Sequence, residues 1–200
     1  CKGLLALRDR FKRMPASTVV WQPAIGGVAI GLILIAVPQV MGVGYAYVDQ
    51  ALSGGLTLRV LVTLCLVKIV ATIISYASGN AGGVFAPSLY IGAMAGAAVG
   101  TLVNQFAPFP AAASGAYALV GMGALFAGIV RAPLTSVIMI FEVTQDYHIL
   151  VPLMVANLLA FYISRRYLPV PLYEALLVQD GVTLRGRPAP DARSFDTPTT

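Results

Sequence analysis

The sequence predicts an all-α, multi-pass membrane protein, and three observations carry that expectation. Hydrophobic residues make up 58% of the 200 residues and charged residues only 10%, against about 25% charged in ordinary soluble proteins. The charges are also segregated: none occurs in the 35 residues between Arg13 and Asp49, nor in the 62 between Lys68 and Arg131. A bilayer-crossing helix needs about 20 apolar residues, so the second run alone holds two or three membrane elements. Third, basic residues gather outside the apolar runs, at Lys2, Arg8, Arg10, Lys12 and Arg13 before them and at Arg165, Arg166, Arg185 and Arg187 after them. By the positive-inside rule both ends of the segment lie in the cytoplasm. The net charge of +5 does not indicate nucleic acid, because no basic stripe interleaves with exposed aromatics.

The elements follow in order. Residues 1–13 mix Leu4, Leu5, Leu7 and Phe11 with charges and form the cytoplasmic end of a helix that begins further upstream; the chain is expected to be a segment of a longer polypeptide. A linker at Met14–Thr18 leads to a first apolar helix at about 20–37, ended by Pro38. Gly26, Gly27 and Gly31 give it a smooth face for close packing. Residues 38–55, interrupted by Gly42, Gly44, Gly54 and Gly55, suit a short re-entrant helix rather than a full span. A second span covers about 57–77 and carries Lys68, a charge at membrane depth that should face protein or snorkel rather than meet lipid. Cys65 in the same run is expected to be inert packing.

A third helix is expected at about 85–106, closed by Pro108 and Pro110, with Gly92, Gly96 and Gly100 forming a small-residue face. A fourth spans about 114–130. Arg131-Ala132-Pro133 breaks it, and a short fifth helix runs over 133–144, with Pro133 in its first turn. A sixth covers about 149–164 and stops at Arg165-Arg166. A short amphipathic segment near 172–180 and a polar, Pro-rich tail follow. Helix 133–144, at about 1.5 Å per residue, is too short to cross alone. Breaks of this kind at membrane depth are tolerated where they line a site or cavity.

Gly82-Gly83-Val84-Phe85-Ala86-Pro87 is the stretch that points to chemistry. Pro87 fits the first turn of a helix because it has no N–H to leave unpaired. The amides of Val84, Phe85 and Ala86 then lack helical acceptors. Inside a membrane they need one, the glycines leave room for it, and the helix dipole favours an anion. Such a site binds without a full positive charge, which suits an ion that must also leave. A plain Gly-Pro turn between packed helices would explain the hexapeptide equally well by itself.

The wider sequence bears on that choice. Gly82-Gly-Val-Phe-Ala-Pro-Ser-Leu, followed by Ile91-Gly-Ala-Met-Ala-Gly, resembles the GxFxP region of the ClC family. Gly121-Met-Gly-Ala-Leu-Phe-Ala-Gly-Ile-Val-Arg-Ala-Pro-Leu-Thr135, Phe141-Glu-Val-Thr144, Gly42-Val-Gly-Tyr45 and Pro171-Leu-Tyr-Glu-Ala-Leu176 resemble further signatures of that family, in its order and spacing, over about residues 1–185. The resemblance implies a chloride channel or chloride/proton antiporter with a ClC-type fold, of which this chain is the second inverted repeat, with short, tilted and re-entrant helices. It implies membrane repeat over residues 1–175, and a cytoplasmic helix and tail, or linker to a regulatory domain, over 176–200.

It also implies anion-binding roles for Gly83, Val84, Phe85 and Ala86 through the backbone and for Tyr173 through its hydroxyl. Taken alone, Tyr173 would be an interfacial aromatic. The family's first half carries a serine-containing chloride motif and a gating glutamate, and neither has a counterpart here. The implied partners are chloride, lipid, the N-terminal half of the same transporter, and a second copy meeting this one through helices 133–144 and 149–164, with Leu153 and Leu158 as positions where a bulky residue should disturb pairing. No cofactor is expected beyond the transported chloride. Enzyme chemistry finds no metal-spaced cluster, nucleophile elbow or Walker loop to act through. A membrane scaffold without transport is the alternative reading. Glu142 is expected to cap or brace helices, Arg131 to anchor a helix boundary, and His148 to be interfacial.

Overall fold

The computed structural model describes residues 3, 4, 7, 8, 21–79, 83–107, 112–168 and 170–179. All regular structure among them is helical. Eight α-helices are laid out as α1 Gln22–Ala36, α2 Tyr45–Leu52, α3 Leu58–Ala77, α4 Phe85–Phe106, α5 Ser114–Val130, α6 Pro133–Thr144, α7 Leu150–Tyr167 and α8 Leu172–Gln179. Short 3-10 turns at Pro38–Val40 and Tyr147–Ile149 precede α2 and α7. Linker 14–18, the prolines at 108 and 110 and the tail beyond 179 lie outside the described residues. The expected helices at 85–106, 114–130 and 133–144 are found with those bounds. The sixth runs on to Tyr167, so Arg165 and Arg166 sit in its last turn, where cations face the negative end of the helix dipole. α8 runs across residue 175, the expected boundary between repeat and tail.

Helix α5 is the hub, packing against α4, α7 and α6, with α2 and α8 touching it as well. The α4–α5 contact is made by glycine. A Cβ on Gly92 would stand 2.6 Å from the Gly121 carbonyl oxygen, and one on Gly100 would stand 2.9 Å from the Tyr117 Cβ. Gly96 likewise meets the backbone of Tyr117 and Ala118. Where lipid competes for apolar surface, close backbone approach of this kind supplies the packing energy. At the other face of α5, Leu153 and Asn157 of α7 are fully buried beside Gly123 and Ser136. Ser136 Oγ donates to the Gly123 carbonyl at 2.8 Å, and Ser164 Oγ donates to that of Gly128. Leu153 therefore faces inward, contrary to its expected interface position, while Leu158 is 57% exposed.

Two other expectations are corrected. Gly27 and Gly31 of α1 meet nothing within 4 Å, so of the three glycines only the buried Gly26 is covered among the described residues. Glu142 is exposed near the end of α6, and among the described residues the Gln145 side chain donates to its backbone carbonyl while no partner of its carboxylate is seen. Among the described residues, Leu58–Ala77 and Phe85–Phe106 are helices long and apolar enough to cross a membrane, as is the stretch from Tyr147 that contains α7. Outward-facing Ile25, Val28, Leu32 and Ile35 of α1 and Val151, Val155, Leu158, Leu159 and Tyr162 of α7 are all exposed, a surface that needs lipid or protein around it.

Candidate anion site

The site is built where α4 begins. Val84 is its N-cap (φ −89°, ψ −17°), and the first helical hydrogen bond runs from the Ser88 amide to the Val84 carbonyl at 3.0 Å. Pro87 has no N–H. The amides of Val84, Phe85 and Ala86 are therefore the ones that helix geometry leaves without an intrahelical acceptor. Ser88, buried beneath this turn, folds its hydroxyl back onto the Phe85 carbonyl at 2.6 Å. That bond spends the serine on the turn's own backbone and leaves the three amides as the donors at the helix end.

Side chains fix the turn from both sides. Val84 is buried in a cluster with Leu168, Leu172, Ala175 and Leu176. Phe85 is half-exposed, its ring edge-on to Phe126 of α5 with centroids 4.9 Å apart. Gly83 is different: a Cβ there would meet nothing within 4 Å. The open space beside Gly83 belongs to a cavity of about 460 Å³ whose wall includes Gly83, Ala86 and Pro87 together with Lys68, Thr72 and Tyr76 of α3. Residues 80–82, including Gly82 of the motif, lie outside the described residues.

Tyr173 is the second residue of α8. Its neighbours Leu172, Ala175 and Leu176 pack in the same cluster as Val84, so α8 is seated beside the turn. The Tyr173 side chain itself is 40% exposed, and its hydroxyl lies within electrostatic reach of Tyr76 on the cavity wall. No hydrogen bond to that hydroxyl is present among the described residues. The structure thus brings the four turn residues and the tyrosine-bearing helix together, although they are about 90 positions apart in the chain.

Lys68 is brought to the same cavity, where sequence reasoning expected only a structural partner or a snorkelling side chain. It is 5% exposed. Its ammonium donates to the carbonyls of Val40 (2.8 Å) and Gly42 (2.6 Å), and it lies 4.9 Å from the centre of the Tyr90 ring. Two carbonyls and an aromatic face use its donor directions, so it serves as a clamp on the Pro38–Gly44 turn and not as a free anion ligand. Gly44 in that turn has φ +76°, and any Cβ there would run into the Tyr90 ring. The sequence signal was the isolation of a single lysine in a long apolar run; its acceptors could not be read because they lie 26 and 28 residues away.

Among the described residues, no group of three or more His, Cys, Asp or Glu side chains could hold a metal ion.

Comparison with known proteins agrees with this architecture. The family described as "Voltage gated chloride channel" matches residues 1–165. The H(+)/Cl(-) exchange transporter ClcA of Vibrio campbellii is 35% identical over 169 residues, covering 84% of this chain and 35% of that protein. The protein of the same name from Vibrio parahaemolyticus is 37% identical over 153 residues, covering 76% of this chain and 32% of that protein. A solved structure of a slow cyanobacterial Cl-/H+ antiporter superposes with a TM-score of 0.76 at 30% identity, covering 89% of this chain and 42% of that one. The chain spans about a third of the length of the curated relatives it matches. With the family matched over most of its length and the helical architecture shared with an antiporter, this chain belongs to the voltage-gated chloride channel family.

Proposed function

We propose that this chain forms the second half of a membrane pathway for chloride, in which the amides of Val84, Phe85 and Ala86 and the hydroxyl of Tyr173 hold the passing anion. One observation carries the reading: three helix-end amides stand at a turn whose Gly83, Ala86 and Pro87 line a cavity, and whose Val84 packs against the helix that bears Tyr173. Amide dipoles and one hydroxyl bind a halide weakly enough for it to leave, whereas a free lysine would hold it. The names of the relatives, which are H+/Cl− exchangers, support the choice of anion.

In this reading, residues 1–175 are embedded in the membrane and 176–200 form the cytoplasmic helix and tail. Arg8 donates to the Leu176 carbonyl at 3.3 Å, and Leu4 packs with Leu172 and Leu176. The two ends of the segment therefore meet, which supports placing both on the same side of the membrane, the cytoplasmic side by the distribution of basic residues. The opposing wall of the pathway comes from an N-terminal half, and two copies associate through α6 and α7. Bromide soaked into crystals of the full-length protein should give anomalous density at the start of α4. Density elsewhere with none at this turn would overturn the proposal and leave a scaffold role.

A further inference from the structure

Arg131 stands in a conformation that its residue type disfavours. It caps the end of α5 at φ 62°, ψ 35°, the left-handed region where a helix normally ends on glycine. A long cationic residue held there calls for a reason in what its side chain reaches. The guanidinium donates to the carbonyl of Leu168, the C-cap residue of α7, where the helix presents its unpaired carbonyls and the negative end of its dipole. Glu174, the residue after Tyr173, lies within electrostatic reach of the same guanidinium, as does Arg165. Leu168 and Glu174 bracket the joint between α7 and α8. The floor of that joint is shared with the anion turn, since Leu168, Leu172 and Val84 lie in one cluster with Ile129 of α5 packed on it.

We infer that Arg131 is the positioning residue of the pathway: by holding the α7–α8 joint at the Leu168 carbonyl, shortly before Tyr173, it sets where that hydroxyl stands relative to the amides of Val84 to Ala86. A residue that only capped α5 would be replaced by glycine with no loss, because glycine takes this backbone conformation without a Cβ penalty. A residue that sets Tyr173 is not replaceable in that way, and its effect must pass through the tyrosine hydroxyl. The inference rests on the proposed role of Tyr173, and the experiment separates the two.

Chloride affinity is measured by calorimetry on the full-length polypeptide carrying this chain, as the parent, Arg131→Gly, Arg131→Lys, Tyr173→Phe and the two double variants. Arg131→Gly should weaken binding about 2- to 30-fold, the range for residues coupled to a site without touching the ligand. In the Tyr173→Phe background it should weaken binding no further. Arg131→Lys, which keeps one donor for Leu168, should recover most of the affinity. Equal losses from Arg131→Gly in both backgrounds, or no loss beside an intact Tyr173 whose own substitution does weaken binding, would overturn the inference. Tyr173→Phe with unchanged affinity would overturn the role of the tyrosine and the inference with it. If Arg131→Gly lacks the parent's gel-filtration profile, Arg131→Asn, which tolerates the left-handed cap conformation but is too short to replace the guanidinium, carries the same comparison alone and with Tyr173→Phe: a loss abolished by Tyr173→Phe supports the coupling, and no loss or an additive one refutes it.

Discussion

At the scale of single residues, Lys68 and Tyr173 divide their work by what they touch. Lys68 gives its donors to two carbonyls and a ring. Lys68→Met would leave the buried Val40 carbonyl unpaired, at about 1–3 kcal/mol, and would strip the donor from the more open Gly42 carbonyl, so the expected result is a lower unfolding temperature of the full-length protein with chloride affinity retained. A stable Lys68→Met protein with weakened chloride binding would show that the lysine acts on the anion. Tyr173→Phe should do the reverse. Losing one hydrogen bond to a charged ligand is worth about 1.5–3 kcal/mol, a weakening of roughly 10- to 150-fold measurable by calorimetry, with stability preserved because the ring stays 40% exposed either way. The turn amides were legible from Gly83 and Pro87, since local sequence decides which N–H groups a helix start leaves over. Tyr173 was legible only through resemblance, because the contact of α8 with Val84 spans the whole intervening fold. The acceptors of Lys68 and Arg131 were not legible at all: backbone carbonyls carry no sequence signature.

At the scale of elements, Gly and Pro wrote the helix bounds into the sequence. Pro38 and Pro133 mark where helices stop and start, and the fourfold spacing of Gly92, Gly96 and Gly100 named the face that α4 turns to α5. The end of α7 was misjudged because Arg165 and Arg166 read as a membrane boundary, whereas the helix itself continues to Tyr167. The glycine face makes a sharp prediction. A Cβ on Gly96 would stand 3.0 Å from the Ala118 Cα and 2.9 Å from the Tyr117 carbonyl carbon, and backbone cannot yield as a side-chain tip can. Gly96→Val should cost at least the about 1–3 kcal/mol typical of overpacked cores and shift thermal unfolding accordingly. Gly27→Ala, on the open face of α1, should cost little if that face meets lipid. A large loss from Gly27→Ala would place a tightly fitted helix from the rest of the polypeptide against α1.

For the whole molecule, the question is what covers the apolar surface that the described residues leave open. On α6 and α7 the outward positions are Leu134, Ile138, Val151, Val155, Leu158 and Tyr162, all more than half exposed. Leu153, though on the same helix, is spent inside against Gly123. This distinction turns a proposal of pairing through α6 and α7 into a comparison of two substitutions on one helix. Leu158→Trp adds bulk to the outward face while touching nothing within the subunit's core, so it should shift the monomer–dimer equilibrium in lipid towards monomer and leave unfolding unchanged. Leu153→Trp adds the same bulk within the α5–α7 contact, where the interior is close-packed, so it should destabilise the subunit. Fluorescence-monitored association of the full-length protein in liposomes reads the first effect, and thermal unfolding reads the second. Dimers indifferent to Leu158→Trp would place the interface on another face, and α1, with Ile25, Val28, Leu32 and Ile35 turned outward, would be the next surface to substitute.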